Sequence, residues 1–234
     1  RLYAWPSTSD GASASTRSPR ATSRTSTKSR VAVSAPTSSV GGITAPIGQA
    51  GARDVTALTL DSTDHAGALL VGRPGSGKST LLHAYLAGIT TLYSPEELEL
   101  HLIDFKEGVE FKGYAATGLP HAVSVAIESD REFGLSVLNA IQAEISRRAN
   151  LLRDTDGAHS SLPTLREKTG EKLPRILLVF DEFQVLFSRN DKVGDAAAVA
   201  LESIIRQGRG FGVHRRIIPR GAVSTAGRPA SAVT

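Results

Sequence analysis

From position 47 onward the chain shows two hydrophobic rhythms, one of period two and one of helical period. "VTALTL" (55–60) alternates and predicts a strand. "GALLVG" (67–72) is a continuous apolar run, as in a strand buried on both faces. Residues 78–90 predict a helix, "ELELHLIDF" (97–105) a strand ending near Asp104, and "HAVSVAI" (121–127) another strand. Ser129-Asp130-Arg131-Glu132 is a capping-box pattern with acids in the first turn. Val137, Leu138, Ile141, Ile145 and Leu152 follow at helical spacing, so a long helix is expected over about 129–153. "RILLVFDEF" (175–183) is the clearest buried strand. A helix over 195–207, ended by Gly208 or Gly210, comes next. Strands alternating with helices predict an α/β fold with a mostly parallel sheet and helices on both faces. The middle segment, 47–214, spans 168 residues, enough for a real core.

The flanks read differently. Residues 1–46 are dominated by Ser, Thr, Ala and Pro with scattered Arg, which bury too little apolar area to offset ordering entropy. They are expected to form a disordered segment, and 215–234 a second, basic one. The formal charge of +4 invites a nucleic-acid reading. Its distribution weakens that reading. Residues 1–46 hold six Lys/Arg and one acid, and 215–234 hold four Arg and no acid, which leaves 17 basic and 22 acidic residues between them. The absence of Cys excludes disulfides and cysteine-based zinc sites. No apolar run approaches the roughly 18 residues a membrane span needs. With no Met and an opening Arg1, the sequence reads as a piece of a longer product, which is compatible with a membrane anchor in a preceding segment.

"GRPGSGKST" (72–80) carries the chemistry, matching G-x-x-x-x-G-K-[ST] at Gly72, Gly77, Lys78 and Ser79. Gly72, Arg73, Pro74, Gly75, Ser76, Gly77, Lys78, Ser79 and Thr80 form the candidate phosphate cradle. Its glycines let backbone N–H groups curl around phosphate oxygens, and the helix beginning near Lys78 turns its positive dipole end to the same anion. Lys78 can reach the β- and γ-phosphates, and the Ser79 hydroxyl can ligate Mg²⁺. The bland alternative is a tight turn with an exposed lysine. A preceding strand and a following helix favour the cradle. At the end of the "ILLVFDE" strand, Asp181 is expected to hold Mg²⁺ through its water shell, and Glu182 to orient and polarise the attacking water. No N-K-x-D motif is found, the "DTDG" at 154–157 lies in a polar loop, and no L-S-G-G-Q signature occurs. ATP with Mg²⁺ is therefore the expected cofactor pair.

Five segments together resemble the FtsK/SpoIIIE family of motor ATPases: "RPGSGKSTLLHAYL", "LHLIDFKEGVEF", "LPHAVSVAIESDREFGLSVL", "RILLVFDEFQVLF" and "RQGRGFGVH". The resemblance covers about 50–214. It implies a RecA-like P-loop NTPase domain that assembles into a hexameric ring, with nucleotide at subunit interfaces. By the same resemblance Lys78, Ser79 and Thr80 hold the phosphates and Mg²⁺, and Asp181 and Glu182 are the acidic pair. Asp104 and Lys106 fall at a strand-end step near the site, where ordinary loop charges are an equal reading. Arg206 and Arg209 lie where an arginine could reach a neighbour's γ-phosphate; solvated arginines at a helix end are at least as good an account. The first functional reading is an ATP-driven translocase of double-stranded DNA. The second is a protein-secretion motor that binds export signals, and the third a nucleotide-binding module with little hydrolysis. The family implies a cytoplasmic location, at the inner face of the membrane if regions outside this chain tether it.

After His214 the pattern departs from the family. There the family expects an apolar strand running into a small-Thr/Ser-Gln step, and this chain has "RRIIPRGAVSTAGRPASAVT". Two arginines and a proline make a poor central strand. The last core strand is therefore expected to be lost, with the coding frame altered near 214 and also before about 38, and with hydrolysis weakened. His83, His101, His121 and His214 show no metal-ligand spacing and are expected to be surface or satisfied core histidines. "EFKGYA" (110–115) is expected to be a surface loop.

Overall fold

The computed structural model describes residues 37–73, 75–105, 110–126, 130–153 and 161–218, all within the unit Ala35–Thr234. The opening segment up to 36, Pro74, Lys106, Ser129, the "DTDG" at 154–157 and residues 219–234 lie outside the described residues. Two strands, β1 (Ile43–Ala50) and β2 (Asp54–Leu60), pair as an antiparallel hairpin. A second sheet is built from β3 (Gly67–Leu69), β4 (Leu98–Asp104), β5 (Ala122–Ala126), β6 (Arg175–Asp181) and β7 (Val213–Ile218). Its order is β3-β7-β6-β4-β5, and every pairing is parallel. The connecting helices are α1 (Lys78–Leu92), α2 (Lys112–Thr117), α3 (Arg131–Arg153), α4 (Leu162–Thr169) and α5 (Lys192–Gln207). Among the described residues no helix is long and apolar enough to cross a membrane.

Strand alternation decides which helix covers which face. On β4, Leu98, Leu100 and Leu102 join Leu177 and Val179 of β6 against Leu82, Leu86 and Ile89 of α1, with Ile43 of β1 closing the cluster. The opposite parity, Ile103 with Ile176, Leu178 and Phe180, packs against Leu138, Ile141 and Ile145 of α3 and Ala197, Leu201 and Ile204 of α5. A strand covered on both faces needs apolar residues at every position, which is why β6 reads as an unbroken run. Helix α3 begins at Arg131. Its cap is Asp130, whose Oδ1 accepts from the backbone N–H of Glu132 (2.9 Å) and of Phe133 (3.3 Å). Asp191 caps α5 in the same way, accepting from the N–H of Gly194 at 2.9 Å, and starts that helix three residues before the expected 195.

The expected loss of the last core strand is overturned. Strand β7 runs through Arg215 and lies between β6 and β3. Arg215 is half-buried, and the reason it is tolerated is its partner: it pairs with Gly67. A Cβ at Gly67 would stand 3.1 Å from Arg215 Cγ, so the glycine leaves room for the arginine's stem. Burial pushes the Arg215 guanidinium below its ordinary range. The family's sensor step, beyond 218, lies outside the described residues.

At the other flank, β1 starts at Ile43, inside the segment expected to be disordered to 46. Ser39 there is fully buried. Its hydroxyl donates to Glu97 Oε2 (2.6 Å), and its N–H donates to the same oxygen (2.8 Å). Arg166 reaches Glu97 Oε2 (2.9 Å) and the Ser39 hydroxyl oxygen (2.9 Å). Buried Arg175 donates to the carbonyls of Ser39 and Val40 and to His214 Nε2 (2.7 Å). These polar bonds order a Ser-rich stretch that apolar burial alone would leave loose. The "EFKGYA" stretch also differs from expectation, since Lys112–Thr117 forms the short helix α2.

Gly134 on α3 is a contact point between helix and sheet. A Cβ there would lie 2.6 Å from Phe105 Cζ and 2.9 Å from Cε1. Phe105 is buried and stacks on Phe180, so it has little room to retreat. Gly134→Ala is expected to destabilise the domain by about 1–3 kcal/mol, because overpacking outweighs the helix-propensity gain. Urea unfolding checks this, and a stabilised variant would contradict the packing.

Candidate functional site

The cradle sits between β3 and α1. Gly75 and Gly77 have φ of 76° and 85°, the left-handed region that side chains disfavour. A Cβ at either would meet nothing within 4 Å, so it is the backbone conformation and not crowding that calls for glycine there. Gly77 gives α1 no side-chain cap, and the first turn carries no acid. Nothing on the helix itself therefore competes with an anion at its N-terminus. Lys78 Nζ donates to the carbonyl oxygens of Gly72 (2.7 Å) and Arg73 (2.9 Å), which folds the ammonium back over the loop. Ser79 is half-buried and Thr80 exposed.

Parallel register brings the acids to the same end of the sheet. In the pairing of β4 with β6, Asp104 stands opposite Asp181. Asp104 is fully buried. Burial, with Asp104 and then Glu110 nearby, pushes the Asp181 carboxyl up to about 6. A carboxyl held this far from its ordinary range by burial first and by like charges second is one that a cation would relieve. Glu182 takes a left-handed backbone (φ 53°), which is costly for a residue with a side chain. Its N–H donates to Asp181 Oδ1 at 3.0 Å, and a 3-10 turn over Phe183–Phe187 follows. Strained backbone of this kind clusters at active sites.

One residue at the centre of this arrangement was not singled out in the sequence. Ser79 Oγ donates to Glu110 Oε1 at 2.9 Å. Glu110 Oε2 lies 3.3 Å from His83 Nε2, and His83 Nδ1 lies 2.7 Å from the Tyr114 hydroxyl. The backbone N–H of Glu110 donates to Asp104 Oδ2 at 3.1 Å. His83, expected to be idle, thus belongs to the site's network. The signal was present in "LIDFKEGVEF", where two further acids, Glu107 and Glu110, follow Asp104 within six residues. The other three histidines lie in the core, each with one ring nitrogen partnered, while the Nδ1 atoms of His121 and His214 have no hydrogen-bond partner among the described residues. His101 pairs with Ser124, His121 with the Tyr93 carbonyl and His214 with Arg175.

Arg206 and Arg209 are not near the cradle of their own chain. Arg206 is exposed and pairs with Glu202 at 3.4 Å, and Arg209 donates to the Thr63 carbonyl at 3.0 Å. The turn Gly208–Phe211 feeds the start of β7, the end of the parallel sheet opposite Asp104 and Asp181.

Comparison with known proteins bears on the family and the fold. The FtsK/SpoIIIE family profile matches residues 34–216. The ESX-4 secretion system protein EccC4 of Mycobacterium tuberculosis (strain ATCC 25618 / H37Rv) is 36% identical over 173 residues, covering 69% of this chain and 14% of that protein. The ESX secretion system protein YukB of Bacillus subtilis (strain 168) is 30% identical over 179 residues, 74% of this chain and 12% of its own length. The chain therefore spans only about a seventh of these relatives. The solved cytoplasmic domain of the Thermomonospora curvata type VII secretion ATPase EccC is similar in fold, with a TM-score of 0.61 and 28% identity over 80% of this chain and 22% of that one. The parallel sheet with helices on both faces is the RecA-like P-loop fold expected from the sequence. With 183 of its 234 residues inside the family profile, the chain belongs to the FtsK/SpoIIIE family of P-loop ATPases.

Proposed function

We propose that this chain is the ATP-hydrolysing domain of a protein-export motor of the type VII secretion class, acting on the cytoplasmic side of the membrane. The observation that carries the reading is the meeting of two elements. The cradle at 72–80 includes Ser79, and Ser79 is joined through Glu110 to the strand-end acids Asp104 and Asp181.

Backbone N–H groups of the loop and of the first turn of α1 donate to the phosphates, and the Lys78 ammonium neutralises charge on the β- and γ-phosphates. Ser79 and Asp181 would hold Mg²⁺, whose charge offsets that of the phosphoryl oxygens when it is bound. Among the described residues no group of three or more His, Asp or Glu forms a metal site alone. That donor set suits Mg²⁺, which keeps several waters and takes further oxygens from phosphate. Glu182 orients the attacking water and accepts its proton.

Two features favour protein cargo over the DNA translocase reading. The relatives described above carry secretion-system names. Residues 47–214 hold 17 basic and 22 acidic side chains, so the domain offers no net positive charge to a phosphate backbone. ATP turnover of the purified chain tests the assignment. Turnover is expected to rise with a peptide carrying an export signal and to stay unchanged with double-stranded DNA. DNA-stimulated turnover would return the domain to the translocase class. Intact ATP affinity without turnover under any condition would favour the binding-module reading.

A further inference from the structure

We propose that Glu110 is the positioning residue for the Ser79 hydroxyl, setting how that hydroxyl meets Mg²⁺. This inference rests on the nucleotide-binding reading and adds to it a residue outside both motifs. A serine hydroxyl has one proton and two lone pairs. When it ligates a cation through oxygen, its proton must point elsewhere, and the acceptor that takes it fixes the direction of the lone pairs. Here that acceptor is Glu110 Oε1, 2.9 Å from Ser79 Oγ.

Glu110 is itself held at its carboxylate and at its backbone. His83 Nε2 faces its second oxygen at 3.3 Å. With the carboxylate accepting there, His83 Nδ1 is left to accept from the Tyr114 hydroxyl at 2.7 Å, and the two rings stack with centroids 5.7 Å apart. The backbone N–H of Glu110 is tied to Asp104 Oδ2 at 3.1 Å, and Asp104 is fixed by its register opposite Asp181. The orientation of the hydroxyl on α1 is thus referred, through Glu110, to the strand ends that carry the acids. Partners of this kind, one bond removed from a metal, orient the ligand and raise its basicity. A residue that merely supported the fold would affect nucleotide binding alike with and without the metal. Glu110 acts through Ser79 and affects only the metal-dependent part.

The test is a magnesium titration of nucleotide binding on the full chain, read by fluorescence anisotropy of a labelled non-hydrolysable ATP analogue. A melting curve shows that Glu110→Ala is folded, and its affinity in EDTA is the reference from which its own magnesium-dependent gain is measured. On adding Mg²⁺, the concentration giving half of the affinity gain is expected to rise about 10–100-fold in Glu110→Ala. Glu110→Gln, which keeps a carbonyl acceptor for the hydroxyl, should retain more of the wild-type response. In a Ser79→Ala background, Glu110→Ala should add nothing further. The inference is overturned by an unchanged magnesium response in Glu110→Ala, by equal losses with and without Mg²⁺, or by additive effects with Ser79→Ala. Failure of the wild-type chain to bind the analogue would overturn the nucleotide reading itself, and this inference with it.

Discussion

Lys78→Ala is expected to lower affinity for ATP by about a hundredfold or more, which amounts to loss of measurable binding at ordinary concentrations. The ammonium sits over the loop, half-buried at the start of α1, where the proposal places the phosphates. Charge-assisted bonds to phosphate contribute about 1.5–3 kcal/mol each, and one such group can make two. The variant also loses two bonds inside the loop, from Nζ to the carbonyls of Gly72 and Arg73. Those bonds are near the surface, so thermal stability should change little while binding collapses. Isothermal titration with ATP and Mg²⁺, beside a melting curve, reads both quantities. Binding retained within a few-fold of wild type would contradict the cradle.

Glu182→Gln separates binding from chemistry. The amide keeps the shape of the side chain and the left-handed backbone at φ 53°, but it cannot accept a proton from water. ATP affinity should stay close to wild type while turnover falls about 10²–10⁴-fold, the usual contribution of a positioned general base. A single-turnover assay on pre-bound nucleotide gives the chemical step directly. Unchanged hydrolysis would assign the water to another group.

What could be read in advance was what is local. The cradle is nine consecutive residues, and β6 is an apolar run that ends in its acids, so both were visible without a partner. β7 was misread because two arginines in a strand look prohibitive until Gly67 on the neighbouring strand is known to make room for one of them. The start of the fold was placed too late for a similar reason. Ser39 is ordered by Glu97, Arg166 and Arg175, residues 58, 127 and 136 positions away, and composition cannot register such bonds. Glu110 escaped notice because its role depends on α1 and β4 meeting in space. The register that sets Asp104 beside Asp181 is likewise a property of strand pairing, although each acid could be seen at its own strand end.

The most direct measurement is a crystal structure of the chain soaked with a non-hydrolysable ATP analogue and Mn²⁺, the metal located by its anomalous scattering. The account predicts the triphosphate wrapped by the amides of 75–80, Lys78 turned onto it, and the metal bound by Ser79 with Asp181 at its water shell. Nucleotide density elsewhere, or a metal remote from Ser79 and Asp181, would contradict it.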